Sequence, residues 1–247
     1  MATTIEETFF RCRSFHEAQT PHGGYEDDAL IEGLVSKIRA APPWEKNSNN
    51  LYVTHRQLEL CAALMYVICE NRCKHIKVSD VGGGNGYLFF DAKKNIPNIS
   101  WDWTIFESDK VARAYSRFER ESGIKWKSSA TQIAEASDVA LFSCTLQYLE
   151  FPFEMLKTYS LRHKYIIISR IPFVDEKEHV ATQQTFPNGG DYQHQDTVLA
   201  AWFFSRKRFF DQIGEIGDIV YQWETATEVL MFEGRKVVME GVLIRVS

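Results

Sequence analysis

Between two apolar runs, residues 79–88 read SDVGGGNGYL. Glycine loses more backbone freedom on folding than any other residue, so four glycines in five positions need a chemical reason. Such a loop lets a ligand approach the main chain closely. The dinucleotide fingerprint G-x-G-x-x-G fails in both registers. Started at Gly82, its last glycine falls on Tyr87; started at Gly83, its middle one falls on Asn85. The Walker phosphate loop needs a Gly-Lys-Ser/Thr ending, and none follows. What fits is an acidic residue followed by alternating glycines: Asp80, Gly82, Gly84 and Gly86, with Gly83 between. The competing reading is a tight strand-to-helix turn with no ligand. A second concentration of reactive types lies at 170–196, with Arg170, Asp175, His179, Gln183, Gln184, Asp191, Tyr192 and His194. An unperturbed histidine titrates near pH ~6.5, so His194 and His179 are the candidate general bases. His194 is placed first, because Asp191, Tyr192 and Asp196 can orient it.

The elements that must position these residues follow from periodicity. Residues 25–40 and 55–72 carry apolar side chains at helical spacing, the second helix capped by Thr54. They precede any convincing strand and read as an N-terminal helical cap over residues 1–74. From 75 to 247, strand-like runs at 76–82, 101–108, 137–144 and 164–173 alternate with helices at 86–94, 109–122 and 151–161. A loop-rich stretch (174–196), a helix near 205–214 and strands at 218–224, 227–233 and 237–246 complete the chain. Alternation of this kind predicts an α/β fold: a Rossmann-like, doubly wound, mostly parallel seven-stranded sheet. The turn EGRK predicts an antiparallel hairpin at one edge.

Composition narrows the classes. With 247 residues and a net charge of −5, nothing favours nucleic acid as a partner. No apolar stretch approaches the roughly 20 residues of a spanning helix. The start, MATTIEETFFRCRSF, is not a secretion signal. Five cysteines cannot all pair and read as reduced thiols of a cytoplasmic protein. Cys69, Cys73 and His75 match no standard zinc spacing, so no metal is expected, and Cys69 is placed on an apolar helix face. Trp101, Trp103, Trp202 and Trp223 read as packing residues, and Arg206, Lys207 and Arg208 as a solvated helix face.

The pattern Asp80-x-Gly82-x-Gly84-x-Gly86 resembles motif I of class I S-adenosylmethionine-dependent methyltransferases. The physical reading agrees, since that donor has no pyrophosphate and needs a bare backbone rather than an anion cradle. The resemblance implies an S-adenosylmethionine-binding core at 75–247. Asp80 would support the loop or the donor's ammonium group. Glu107, at the next strand's end, can accept both ribose hydroxyls. Ser128 and Ser129 would face adenine. SDVALFSCTLQYLEFPFEML resembles motif IV, which places Ser143, Cys144, Thr145, Leu146 and Gln147 near the reacting methyl group. GGYEDDALIEGLVSKI, TLQYLEFPFEML and YIIISRIPFVDEKEHVATQQTF further resemble a bacterial family of putative methyltransferases associated with lipopolysaccharide, O-antigen or capsule biosynthesis. The similarity spans most of 23–225, although that family's loop more often reads Gly-Gly-Ser-Leu-Gly. The implied activity is O-methylation of a small-molecule or glycan-linked acceptor, at a sugar hydroxyl or a phosphate. Its binding candidates are Tyr25, Arg56, Gln147, Asp191 and Tyr192, with Arg170 at the strand end. A non-catalytic donor-binding module and an N-methyltransferase are the alternatives. Oligomeric state is not legible.

Overall fold

A strand covered on both faces carries a near-continuous apolar run, and residues 163–174 have one. In the computed structural model this run is a central strand. The structure describes residues 8–19, 28–45, 55–129, 136–186 and 197–247. In chain order the strands are β1 (Thr8–Arg11), β2 (His75–Val81), β3 (Ser100–Glu107), β4 (Lys125–Ser128) and β5 (Ser137–Ser143), then β6 (His163–Val174), β7 (Val180–Phe186), β8 (Thr197–Ser205), β9 (Gly217–Phe232) and β10 (Arg235–Val246). The helices are α1 (Phe15–Ala18), α2 (Asp28–Ala40), α3 (His55–Asn71), α4 (Tyr87–Asn95), α5 (Asp109–Ser116), α6 (Glu119–Ser122), α7 (Pro152–Ser160) and α8 (Arg206–Ile213).

Five strands run parallel in the order β4-β3-β2-β5-β6. The order therefore reverses between β2 and β5, the switch point at which open α/β sheets form their ligand crevice. β10 adds antiparallel to β6, and β9 antiparallel to β10. The β9–β10 turn has positive φ at Glu233 (49°) and Gly234 (74°), as a two-residue hairpin requires. Alternate residues of β5 and β6 face opposite ways. Val139, Leu141, Tyr165 and Ile167 pack with α2, α3, α4 and α5, while Ala140, Phe142, Ile166 and Ile168 pack with α7 and α8. Both faces are thus covered, and the period of two along each strand is the reason.

The sheet differs from the expected seven strands. Among the described residues it has ten, and it is mixed. Residues 180–186, expected as loop, form β7, which pairs antiparallel with both β8 and β1. β8 in turn continues from the end of β6, in parallel register at Phe173–Phe204. The sequence hides β7 because VATQQTF lacks an apolar alternation. Its Thr182 (0% exposed) and Gln184 (3%) are buried only because distant strands pair with it. Residues 217–232 form one strand rather than two, and the helix expected over 109–122 breaks between α5 and α6. Cys69 is exposed, not on the apolar face of α3. The basic run at α8 is paired on the surface: Arg206 with Glu240, Lys207 with Asp211 and Arg208 with Glu178. Among the described residues no helix is long and apolar enough to cross a membrane.

Candidate functional site

The carboxyl ends of the parallel strands bring the glycine loop, Glu107, Ser128 and Ser143 to one rim. Val81 is in register with Phe106 and Phe142, and Glu107 with Ser128. The loop leaves β2 with the Gly82 N–H donating to Phe106 O at 2.8 Å. Each side of it is then filled. A Cβ on Gly82 would lie 2.5 Å from the Thr145 side chain, which follows β5. A Cβ on Gly83 would lie 2.3 Å from Asp80 Oδ2. Gly86 has φ +77° and would meet Ile124 Cδ1 at 2.2 Å. At Gly84 the space is open; its N–H donates to Glu107 Oε1 at 2.8 Å, and its carbonyl accepts from Trp126 Nε1 at 2.8 Å. The bare backbone is therefore wedged by protein on three sides and open at Gly84.

Gly83→Ala tests this packing. Asp80 is fully buried and fixed to Trp103, so it cannot swing away from a new methyl group. The substitution is expected to destabilise the fold by about 1–3 kcal/mol, the range for overpacking a filled site, read as a lower thermal midpoint.

Two carboxyls lie under the loop. Asp80 Oδ2 accepts from Trp103 Nε1 at 3.1 Å, whereas its buried Oδ1 has no hydrogen-bond partner among the described residues. Burial pushes Asp80 up to about 7, against the pull of the indole N–H and with a further push from Glu107. Burial also raises Glu107, opposed by the N–H groups of Gly84 and Ser108. Asp80 is thus a fully buried carboxyl lying against the loop at Gly83. A second carboxylate at the next strand tip, with spare acceptor directions, suits a diol. The residues present therefore fit a cationic nucleoside lacking phosphate.

No protein-family model matches the sequence, and no curated protein matches it significantly. Solved structures do resemble it. The N-terminal domain of EvdMO1 with SAH bound superimposes with a TM-score of 0.55 at 11% identity, over 87% of this chain and 97% of that one. The same domain in the presence of SAH and D-fucose gives 0.55 at 10% identity, over 93% and 100%. An S-adenosylmethionine-dependent methyltransferase from Clostridium acetobutylicum ATCC 824 gives 0.52 at 11% identity, over 79% and 93%. This chain has the fold of the S-adenosylmethionine-dependent methyltransferases.

Within that methyltransferase fold, the remaining candidates are placed as follows. Ser128 Oγ donates to Asp109 Oδ1, and the Ser129 N–H to Glu107 O at 2.7 Å, so both serines help hold the tip of β3. Ser143 ends β5, and its carbonyl accepts from Thr145 Oγ1 at 3.2 Å. Leu146 is wholly buried in the α7/α8 core, which leaves only its backbone near the rim. Gln147 is 2% exposed; its Nε2 donates to Cys144 Sγ (3.1 Å) and Arg170 O (3.4 Å), and its Oε1 has no partner. Cys144 (φ 55°), just after β5, and Arg170 (φ 63°), within β6, are in the left-handed region, a strained state for residues with side chains.

His179 is a correction. Its Nδ1 accepts from the Ser205 N–H at 3.0 Å, so the ring proton sits on Nε2, which donates to Gln212 Oε1 at 3.1 Å. Burial lowers its pKa further. A neutral imidazole with both nitrogens engaged is a packing residue, not a base. Tyr25, Asp191, Tyr192 and His194 lie outside the described residues, as does the side chain of Arg56. Thr145, which the resemblance places near the reacting methyl group, lies against Gly82. Sequence reasoning missed the two indoles that hold the loop, Trp103 and Trp126. Their types alone signal only packing, and the contacts exist because β3 stands beside β2 and β4 beside β3.

Proposed function

We propose that the protein is a methyltransferase that binds S-adenosylmethionine at the β2–β3 rim and methylates an oxygen of a small-molecule or glycan-related acceptor. The observation that carries this reading is the glycine loop lying over the buried Asp80, whose Oδ1 is orphaned, with Glu107 at the next strand tip. When bound, the donor supplies a methyl group made electrophilic by the sulfonium. Gly84 leaves the backbone open for its methionine portion, while Gly82, Gly83 and Gly86 let the loop pack against Thr145, Asp80 and Ile124. Asp80 is the countercharge to its ammonium, and Glu107 accepts its ribose hydroxyls. Ser128 and Ser129 border the adenine, and Ser143 and the Leu146 backbone border the reacting centre.

Transfer is an in-line displacement, so the chain's part is alignment and exclusion of water. Arg170, within β6, and Gln147, in the turn after β5, are the proposed acceptor contacts. Arg170 suits a phosphate or a polarised hydroxyl. For a hydroxyl acceptor, His194 is the proposed base, oriented by Asp191 and Tyr192. Residues 1–74, with Tyr25 and Arg56, are proposed to cover the acceptor side of the 75–247 core. A sugar acceptor is favoured by the presence of D-fucose in a crystal of the similar EvdMO1 domain, together with the resemblance to the lipopolysaccharide- and capsule-associated family. A cytoplasmic location follows as part of the same reading.

The experiment is calorimetry with S-adenosylhomocysteine, then mass-spectrometric screening of nucleotide sugars and glycan fragments for methyl incorporation. Saturable binding and a 14-Da product are expected, the increment being that of one CH₂. No heat at millimolar ligand rejects the donor site. Binding without any product would favour a non-catalytic module.

A further inference from the structure

A cavity of about 360 Å³ lies away from the rim and shares no lining residue with the glycine loop, Glu107 or Ser143. Its size falls within the range of small-molecule sites. The walls are Phe151, Pro152, Phe153, His179, Trp202 and Phe204. They are pre-formed. Phe153 stacks on His179 (5.3 Å, 20°) and meets Phe204 edge-on (6.0 Å, 87°). Trp202 stacks on Phe15 and donates its Nε1–H to Leu149 O at 3.1 Å. His179 is locked neutral by its two hydrogen bonds. Phe151, one of the walls, is 60% exposed.

The mouth is acidic. Glu150 and Glu154 line it, and among the described residues neither has an ion-pair partner. Lys157, also at the mouth, is held by Glu215 at 3.3 Å. Glu154 sits in the first turn of α7, where a carboxylate is stabilised in any case. That accounts for its position but not for the aromatic cavity beside it. Aromatic faces attract cations, and uncompensated carboxylates at the rim add to that attraction. Charge complementarity thus selects one kind of occupant.

We infer that this cavity binds a small organic ammonium with an aromatic or branched apolar body. The inference rests on the cavity alone and stands whether or not the chain transfers methyl groups. If it does, the site takes an amine-bearing part of the acceptor or a separate effector, and the probes below report on either.

The test uses the full chain and three ligands sharing one ring: phenethylammonium, neutral 2-phenylethanol and anionic 3-phenylpropionate. The readouts are titration calorimetry and the shift of the Trp202 indole N–H resonance. Phenethylammonium is expected to saturate in the millimolar range or tighter and to shift that resonance, with about tenfold preference over phenylpropionate. The combined Glu150→Gln and Glu154→Gln variant should lose the preference while still binding the neutral ligand. Phe151→Ala, at an exposed position that the fold does not need, should weaken all three ligands several-fold. S-adenosylhomocysteine affinity should be unchanged in every variant, which separates this site from the donor reading. The inference is overturned by any of three results: no saturable binding below about 20 mM, equal binding of cation and anion, or an unchanged Phe151→Ala variant.

Discussion

Glu107→Ala is expected to weaken S-adenosylhomocysteine binding by about 100- to 10,000-fold, as two hydrogen bonds to a charged group are each worth about 1.5–3 kcal/mol. The carboxylate occupies the tip of β3 and already accepts from the Gly84 N–H. It therefore holds the loop and, in the proposed complex, the ribose together. Alanine removes both functions. Glu107→Gln separates them, because its amide oxygen can still accept from Gly84 while its NH₂ group faces one hydroxyl as a donor. The expected order of affinity is wild type, then glutamine about tenfold weaker, then alanine. Calorimetry on variants with normal thermal midpoints decides. Wild-type affinity in the glutamine variant would mean that Glu107 serves the loop alone.

Asp80→Asn should stabilise the free protein at pH 8 and leave it unchanged at pH 4. The folded pKa is about 7, above the ordinary 3.8. Between these values the folded state holds a proton that the unfolded state has released. Stability therefore falls as pH rises from about 4 to 7, and is flat above. Asparagine keeps an oxygen for the Trp103 indole and never ionises. The gain at pH 8 is about 2–4 kcal/mol, from roughly three pKa units at 1.4 kcal/mol each and discounted for relaxation of the site. For a chain of this length that is about 5–15 °C in Tm. The same substitution should weaken donor binding at pH 8, because the orphaned oxygen loses its charge. In the wild type, donor binding near pH 6.5 should release a proton, visible as a dependence of the calorimetric heat on buffer. Unchanged Tm at pH 8 would show that Asp80 is ionised without penalty, through a partner outside the described residues.

These two experiments probe residues whose importance was visible in different ways. The loop was legible because alternating glycines after an acidic residue are a local pattern, and the backbone geometry they permit is local too. The same holds for β2, β3, β5 and β6, whose apolar runs mark strands buried on both faces, and for the β9–β10 turn, where two adjacent positive φ values need only Glu233 and Gly234. The positions of Glu107, Ser128 and Ser143 on one rim also follow, since parallel strands joined by helices place their carboxyl ends together.

What the tertiary structure alone decided is which partners those residues meet. That Asp80 lies beneath Gly83 and bonds Trp103, with one oxygen left over, depends on β3 standing beside β2. That His179 is a packing residue depends on Ser205 and Gln212, which reach it from β8 and α8. The strand Val180–Phe186 carries too little apolar alternation to announce itself, and it exists because β1 and β8 supply both of its edges. Local pattern by itself determined the loop, the strands β2, β3, β5, β6 and β10, and the final hairpin; β1, β4, β7 and β8 it did not mark. Burial, pairing and charge depend on contacts between residues far apart in the chain, and these the sequence specifies without displaying.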